Sequence, residues 1–386
     1  MQVIRSFFKY TLQAVVVLLL VLVRSEDGAH SDANTWNDHM EADTRAWCSS
    51  VQSTPEPSLV FYNRIPKCAS STMQALFQAI SHHRHPIMFN SSHLKDIDAF
   101  RLGQPMWSIR PPPAVQQDIY EHINAHLTSP NNTSMLVFDG HISYFPFNTS
   151  WLRPTTPLET PLEYTNVIRE CETRQQSFFF FSLYQSKAAT EARKNKKIFS
   201  FQRHLLQLND SVDVTTCLTS ETCLRQYIKP SLKAYVNSRY MGDCSRKGGC
   251  SEQESLLQKQ RTDNSELFVQ REVSSVLNNV KANSGVYKTF GLTEYLTQYL
   301  EMLECVYPSM RGIVQVHNST LSSPANVHSD VFRHPETTRI TNKLFAEQCH
   351  DSPDSRLYTL MNTTFWSRYH ALKSQPGRCC RSGVIL

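Results

Sequence analysis

The sequence predicts an α/β fold with a parallel sheet flanked by helices, because short apolar runs alternate with helical stretches from Leu59 onward. The first apolar run, Leu59–Tyr62, is followed by a loop and by apolar residues on one helical face between Met73 and Ile80. The chain has 386 residues, enough for one large domain. Its 40% hydrophobic and 19% charged content is that of a globular protein and excludes wholesale disorder.

Two further runs have the composition of strands. Met135–Phe138 suits one strand and leads into Gly140-His141. Tyr164–Ile168 suits another, which ends at Arg169, and a helix is expected to follow. These segments extend the alternation of strands and helices beyond the first unit.

The loop Arg64–Thr72, between the first strand and its helix, has the composition of an anion cradle. Backbone N–H groups at a helix start point at a bound anion, and the helix dipole favours negative charge there. Lys67 adds a positive charge, and the hydroxyls of Ser70, Ser71 and Thr72 add hydrogen-bond donors. The loop is not a Walker A motif, because the required glycines are absent.

The loop sequence, R-I-P-K-C-A-S-S-T, resembles the 5′-phosphosulfate loop of Golgi carbohydrate sulfotransferases, closest to the uronyl 2-O-sulfotransferases. That family acts on heparan sulfate or on chondroitin and dermatan sulfate. The resemblance implies a single lumenal domain with a P-loop-like central parallel sheet. It also implies 3′-phosphoadenosine 5′-phosphosulfate (PAPS) as sulfuryl donor, without a metal. The residues that the resemblance assigns to the 5′-phosphate are Lys67, Cys68, Ala69, Ser70, Ser71 and Thr72.

The resemblance extends to other segments in the family's order. Arg169 and Ser177 match the residues that hold the 3′-phosphate of PAPS, and His141 matches the catalytic base. Lys67 is implied as a second catalytic residue, which stabilises charge on the leaving group. Arg64 matches an arginine near the acceptor uronate. A histidine near its ordinary pKa can take a proton from a sugar hydroxyl, which suits the role of His141.

A later segment, Tyr287–Glu294, resembles the family's late strand, and a helical run, Tyr295–Val306, follows it. Gly291 in this strand permits close backbone approach. Beyond this helix the sequence is mixed and polar and carries no recognised motif. The resemblance therefore covers about residues 59–305.

Three positions depart from the family pattern. Asp139 stands where the family commonly has a histidine, Glu170-Cys171 replaces Asp-Pro, and Cys68 replaces a threonine. Asp139 either orients His141 or raises its pKa, or it marks a drifted or weak enzyme. A catalytically inactive glycan- or nucleotide-binding relative is therefore the alternative function. A P-loop kinase is disfavoured by the missing glycines.

The N-terminus has the pattern of a targeting segment. Arg5 and Lys9 precede an apolar run, Tyr10–Val23, which Arg24 closes. A cleaved signal peptide and a single-pass type II signal anchor both fit this pattern. The resemblance favours the Golgi anchor. The predicted division is an anchor at 1–24, a stem at 25–57 and a sulfotransferase domain at 58–375.

Cysteines and glycosylation sequons indicate an oxidising lumen. Cys217 with Cys223, and Cys244 with Cys250, have the spacing of local disulfides, whereas the spacing is wide for a zinc site. These paired cysteines also resemble the family. Adjacent Asn131 and Asn132 are not both expected to carry glycans. The expected glycosylation sites are Asn90, Asn131, Asn148, Asn209, Asn318 and Asn362.

The charge of the chain indicates which class of partner it can bind. A net charge of +5 does not suggest a nucleic-acid binder, which needs a concentrated basic face. The basic stretch 187–203 is either a solvated helix face or part of a groove for a polyanionic glycosaminoglycan. The resemblance also implies a homotrimer. It does not determine whether iduronate or glucuronate is the acceptor.

Overall fold

The computed structural model describes five strands, the helices around them and some of the connecting residues. The described residues are 38, 40–65, 67–84, 87–90, 117, 120–121, 123–125, 135–140, 162–180, 214–227, 241, 273–274, 276–281, 287–320, 335–350 and 352–381.

A five-stranded sheet forms the centre of the described fold, with strand order β2-β3-β1-β4-β5. Every neighbouring pair is parallel, so the carboxyl ends of all five strands lie at one edge. The predicted parallel α/β architecture is confirmed. The strands are β1 (Leu59–Asn63), β2 (Ile87–Asn90), β3 (Leu136–Gly140), β4 (Glu163–Ile168) and β5 (Tyr287–Leu292).

The central strands are buried along their whole length, as expected for a parallel sheet. All five residues of β1 and all six of β4 are buried. Aromatic rings form a row across the sheet: Phe61 lies 4.6 Å from Phe138 and 5.1 Å from Tyr164, and Tyr164 lies 5.5 Å from Tyr287. The register puts the end of β1 level with the end of β3, and the end of β4 level with the end of β5.

Helices flank the sheet. The apolar face predicted for the first helix after β1 is buried, with Met73, Leu76, Phe77 and Ile80 each at most 2% exposed. The helices are α1 (40–53), α2 (Ser70–Arg84), α3 (171–180), α4 (Val214–Leu218), α5 (Glu221–Tyr227), α6 (Leu296–Val306), α7 (Ile313–Thr320), α8 (Pro335–Cys349), α9 (Pro353–Ser374) and α10 (Pro376–Cys379).

The described segments after residue 335 are helical, a feature that no motif in the sequence predicts. The longest element, α9, begins with Pro353 in its first turn, and Ser352 caps it by accepting a hydrogen bond from the Ser355 amide at 3.2 Å. The side chains of Leu357, Met361 and Phe365 are buried. Their spacing of four residues is a helical stripe within a polar sequence.

The predicted domain boundaries require correction. Residues 40–53 were assigned to a stem, but they form α1, in which Trp47 is fully buried. The Trp47 indole N–H donates to the Lys288 carbonyl on β5 at 2.8 Å. At the other end, α10 and Arg381 extend the folded region past residue 375. The segment was predicted as a stem because it is mostly polar, and it is mostly polar because α1 buries only a narrow stripe of side chains.

Four disulfides join described residues. The predicted pair Cys217–Cys223 is a disulfide, and the segment with Cys244 and Cys250 lies outside the described residues. Three further bonds were not predicted. They join Cys48 to Cys379, Cys171 to Cys349 and Cys305 to Cys380. Among the described cysteines, Cys68 is buried and does not form a disulfide.

Several predicted targeting and modification sites fall outside the described residues: segment 1–24, Asn131, Asn148 and Asn209. Within the described part, no helix combines the length and apolar character needed to cross a membrane. Asn90 ends β2, Asn318 is exposed on α7, and Asn362 is half-buried on α9.

Candidate anion-binding site

The β1–α2 loop adopts a backbone conformation suited to holding an anion. Lys67 and Ala69 have positive φ angles of 67° and 54°, a region that L-residues seldom occupy. The Cys68 amide donates to the Ile65 carbonyl at 3.3 Å, and the Met73 amide donates to Ala69 at 2.9 Å, which starts α2. Left-handed residues recur in backbone concavities that bind anions, although the Cys68 amide is already bonded to Ile65 in this loop.

The start of α2 contributes further donors to this concavity. The amides of Ser70, Ser71 and Thr72 belong to the first helical turn, which has no intrahelical acceptors for them. The first turn contains no acidic residue, so its dipole is available to an external anion. None of the three side chains is buried, and Ser71 is exposed. The predicted cradle therefore has both backbone and hydroxyl donors.

Arg169 meets Lys67 at this loop, although the two residues are far apart in the sequence. The Nη1 group of Arg169 donates a hydrogen bond to the Lys67 carbonyl oxygen, with an N···O distance of 3.4 Å. Burial and, to a lesser extent, the nearby Arg169 charge together lower the pKa of Lys67 to about 8. Two cations held together in a half-buried site create a positive potential that favours an anion with more than one charge.

Arg64, the first residue of the loop, is buried. Its Nε is 2.7 Å from Asp139 Oδ1, and its Nη1 donates to Gln74 Oε1 at 3.0 Å. Burial raises the pKa of Asp139 to about 7, and the Arg64 charge opposes that rise. The ion pair connects the ends of β1 and β3 to α2. A substrate contact by Arg64 requires the pair to open, and this role stays a prediction.

His141 itself lies outside the described residues, but the residue before it is placed. Gly140 ends β3 and is level with Asn63, which ends β1 directly before the loop. The end of β3 therefore lies next to the start of the β1–α2 loop. The catalytic role of His141 stays a prediction.

A buried row of hydrogen-bonded polar side chains adjoins the site, and it was not predicted from the sequence. Asn63 Nδ2 donates to the Tyr287 hydroxyl at 2.7 Å, and Asn166 Nδ2 donates to Asn63 Oδ1 at 3.0 Å. The row joins the last residue of β1 to the middle of β4 and to the first residue of β5. An asparagine inside an apolar strand is the signal that could have revealed it, because a buried amide needs partners.

Helix α3 begins immediately after Arg169 and contains Ser177. Ser177 is half-buried, and no hydrogen bond joins it to Arg169 within the described chain. The structure thus brings Arg169 to Lys67, while the predicted contribution of Ser177 stays a prediction. The basic stretch 187–203 lies outside the described residues.

A separate cleft of about 710 Å³ opens beside Glu170. Burial raises the pKa of Glu170, and the carboxylates of Glu172 and Glu294 raise it further. Such an acidic lining repels phosphate, so the cleft does not suit the charged part of a nucleotide. The cleft is lined by Glu170, Glu172, Ala346, Glu347, Cys349, His350, Ser355, Tyr358 and Thr359.

In the described part of the chain, no group of three or more His, Cys, Asp or Glu residues is arranged to hold a metal ion. No protein-family model matches the sequence, and no curated protein is similar enough to match it. The local features at the carboxyl edge of the sheet are a strained loop, a helix start and two converging cations. Together they form a site with the chemistry to bind a phosphate or sulfate group.

Proposed function

We propose that this protein transfers a sulfuryl group from PAPS to the 2-hydroxyl of a uronic acid in a glycosaminoglycan. The observation that carries the proposal is the meeting of Lys67 and Arg169 beside the start of α2. Its further support is the resemblance of the loop to uronyl 2-O-sulfotransferases. We place the activity in the Golgi lumen, with a type II membrane anchor.

The residues at the site fit the charges of the donor. A loop with backbone donors, Lys67 and the hydroxyls of Ser70 and Thr72 suits the 5′-phosphate. Arg169, with Ser177, would hold the 3′-phosphate. PAPS supplies the activated sulfuryl group, and the protein contributes positioning and charge stabilisation.

The proposed mechanism divides the chemistry between two residues. His141 removes the proton from the acceptor hydroxyl as that oxygen attacks sulfur in line. Lys67 stabilises the negative charge that builds on the leaving 5′-phosphate as the S–O bond breaks. Removing a general base lowers a rate by about two to four orders of magnitude.

The direct test is transfer of radiolabelled sulfate from PAPS by the full lumenal chain. Desulfated heparin, chondroitin and dermatan are offered in parallel, and the products are analysed as disaccharides. We expect label in 2-O-sulfated uronate from one polymer. His141→Ala should abolish turnover while 3′,5′-ADP binding persists, and turnover retained by this variant would remove His141 from the mechanism.

A second candidate is a relative that binds the nucleotide without transferring sulfate. The buried Arg64–Asp139 pair favours it, because the pair holds Arg64 away from an acceptor sugar. Thermal shift with 3′,5′-ADP separates the candidates, since a ligand that binds only the folded state raises its stability. Binding without transfer to any polymer would support this second candidate, and absence of binding would contradict both.

A further inference from the structure

The first turn of α3 is bonded covalently to a distant helix. Cys171 lies two residues after Arg169 and forms a disulfide with Cys349, at the end of α8, across 178 residues of sequence. Both cysteines are buried, at 0% and 1% exposure. The backbone between β4 and α3 is therefore fixed at both ends, by the centre of the sheet and by this bond.

Other buried contacts surround the disulfide. Gln175 Nε2 lies 3.5 Å from the Cys171 sulfur and 3.3 Å from the Cys349 sulfur. Arg174 Nη2 lies 3.1 Å from Asp354 Oδ2, with side-chain exposures of 4% and 0%. The ion pair and the disulfide hold successive parts of the first turn of α3 against the α8–α9 connection.

We propose that the Cys171–Cys349 disulfide positions Arg169 for anion binding. Arg169 lies between Ile168, the last residue of β4, and the disulfide-bonded Cys171, so its backbone is held on both sides within a few residues. The disulfide therefore limits the positions from which the Arg169 side chain can extend toward Lys67. The identity of the anion rests on the proposed function, whereas the positioning does not.

Binding of 3′,5′-ADP to the full lumenal chain tests the inference. We expect Cys171→Ala/Cys349→Ala to raise the Kd about 10-fold, because misplacing an arginine weakens a charge-assisted hydrogen bond to phosphate. The matched control is Cys217→Ala/Cys223→Ala, which removes a disulfide that packs against the middle of α8 and should change the Kd less than about twofold.

A double-mutant cycle with Arg169→Ala adds a readout that general destabilisation would not move. If the disulfide acts through Arg169, its removal costs little further affinity once Arg169 is alanine. Full additivity of the two losses, or an unchanged Kd in the disulfide variant, would overturn the inference.

Hydrogen exchange in the absence of ligand separates this inference from the proposed function. Peptides covering residues 163–174 should exchange faster in the disulfide variant than in the wild type, whether or not the protein binds 3′,5′-ADP. Equal exchange rates would overturn the positioning role. If the variant fails to fold, Asp354→Asn perturbs the same contact surface with the disulfide intact and should give a smaller change in the same direction.

Discussion

At the scale of single residues, Lys67 combines three unfavourable features. It has a positive φ angle, its ammonium group is half-buried, and Arg169 lies nearby. Each feature lowers the stability of the folded protein without ligand, and a bound anion offsets the last two. Such local strain is common where a backbone is shaped for binding.

The lowered pKa of Lys67 predicts a pH dependence of binding. Affinity for 3′,5′-ADP should fall as pH rises through about 8, because Lys67 loses its proton there. The unfolded chain, with a lysine pKa of about 10.4, holds this proton more firmly. Lys67 therefore makes folding more favourable as pH rises from about 8 to about 10.

Isothermal titration calorimetry between about pH 6.5 and 9.5 checks the binding part of this expectation, because this range includes the expected change in affinity near pH 8. Lys67→Arg is the matched variant, since its guanidinium stays charged and its binding curve should be flatter. A wild-type affinity that stays constant through this range would exclude Lys67 from the anion site.

Gly291 gives a prediction about packing. A Cβ atom at this position would lie 2.3 Å from Tyr299 Cγ, closer than the packed ring allows. Gly291→Ala should therefore lower the free energy of unfolding by about 1–3 kcal/mol or more. Gly377→Ala is the control, because nothing lies within 4 Å of its added methyl group. Equal denaturation midpoints for both variants would contradict the close approach of α6 to β5.

At the scale of elements, α1 belongs to the folded domain. Arg368 of α9 donates to Asp43 on α1 at 3.0 Å and lies over the Trp47 ring at 5.6 Å. Thr44 and Ser367 add a hydrogen bond at 2.7 Å. These contacts join α1 to α9, two segments at opposite ends of the sequence.

Trp47→Ala tests the importance of this packing. The substitution leaves a large cavity and removes the hydrogen bond to Lys288, so we expect a loss of about 3–5 kcal/mol in unfolding free energy. Arg45→Ala, on the exposed face of α1, should change it by less than about 0.5 kcal/mol. Chemical denaturation followed by circular dichroism measures both. A small effect of Trp47→Ala on the unfolding free energy would instead support the assignment of α1 to the stem.

At the scale of the whole molecule, disulfides join both ends of the described chain to the core. Cys379 and Cys380 are adjacent, yet they bond to α1 and to α6 respectively. Arg381 follows them, and its buried guanidinium pairs with Glu163 at the start of β4. The last residues of the described chain are thus part of the core.

Removing the bond between the ends should destabilise the protein more than removing a local one. Cys48–Cys379 spans 331 residues and Cys217–Cys223 spans 6, and longer loops gain more from closure. We expect Cys48→Ala/Cys379→Ala to cost about 2–5 kcal/mol, measured by denaturant unfolding. If Cys48→Ala/Cys379→Ala loses less unfolding free energy than Cys217→Ala/Cys223→Ala, the expected order of the two disulfides is contradicted.

Local patterns predicted much of the sheet and the loop. The strands near Leu59, Met135 and Tyr164 were predicted to within one or two residues, because continuous apolar runs are the local signature of buried parallel strands. The C-terminal helices were missed, since their buried stripes are narrow and their sequences polar. The α1 helix was missed for the same reason.

The sequence by itself determined the alternation of strands and helices, the buried face of α2, and a loop with cationic and hydroxyl donors. Only the tertiary structure decided that Arg169 meets Lys67, that Arg64 pairs with Asp139, and that Cys171 bonds to Cys349. The physical reason is the distance along the sequence between the residues that interact. Periodicity records which side chains face the core within one element, whereas pairings between distant segments depend on strand order and register, which no local pattern contains.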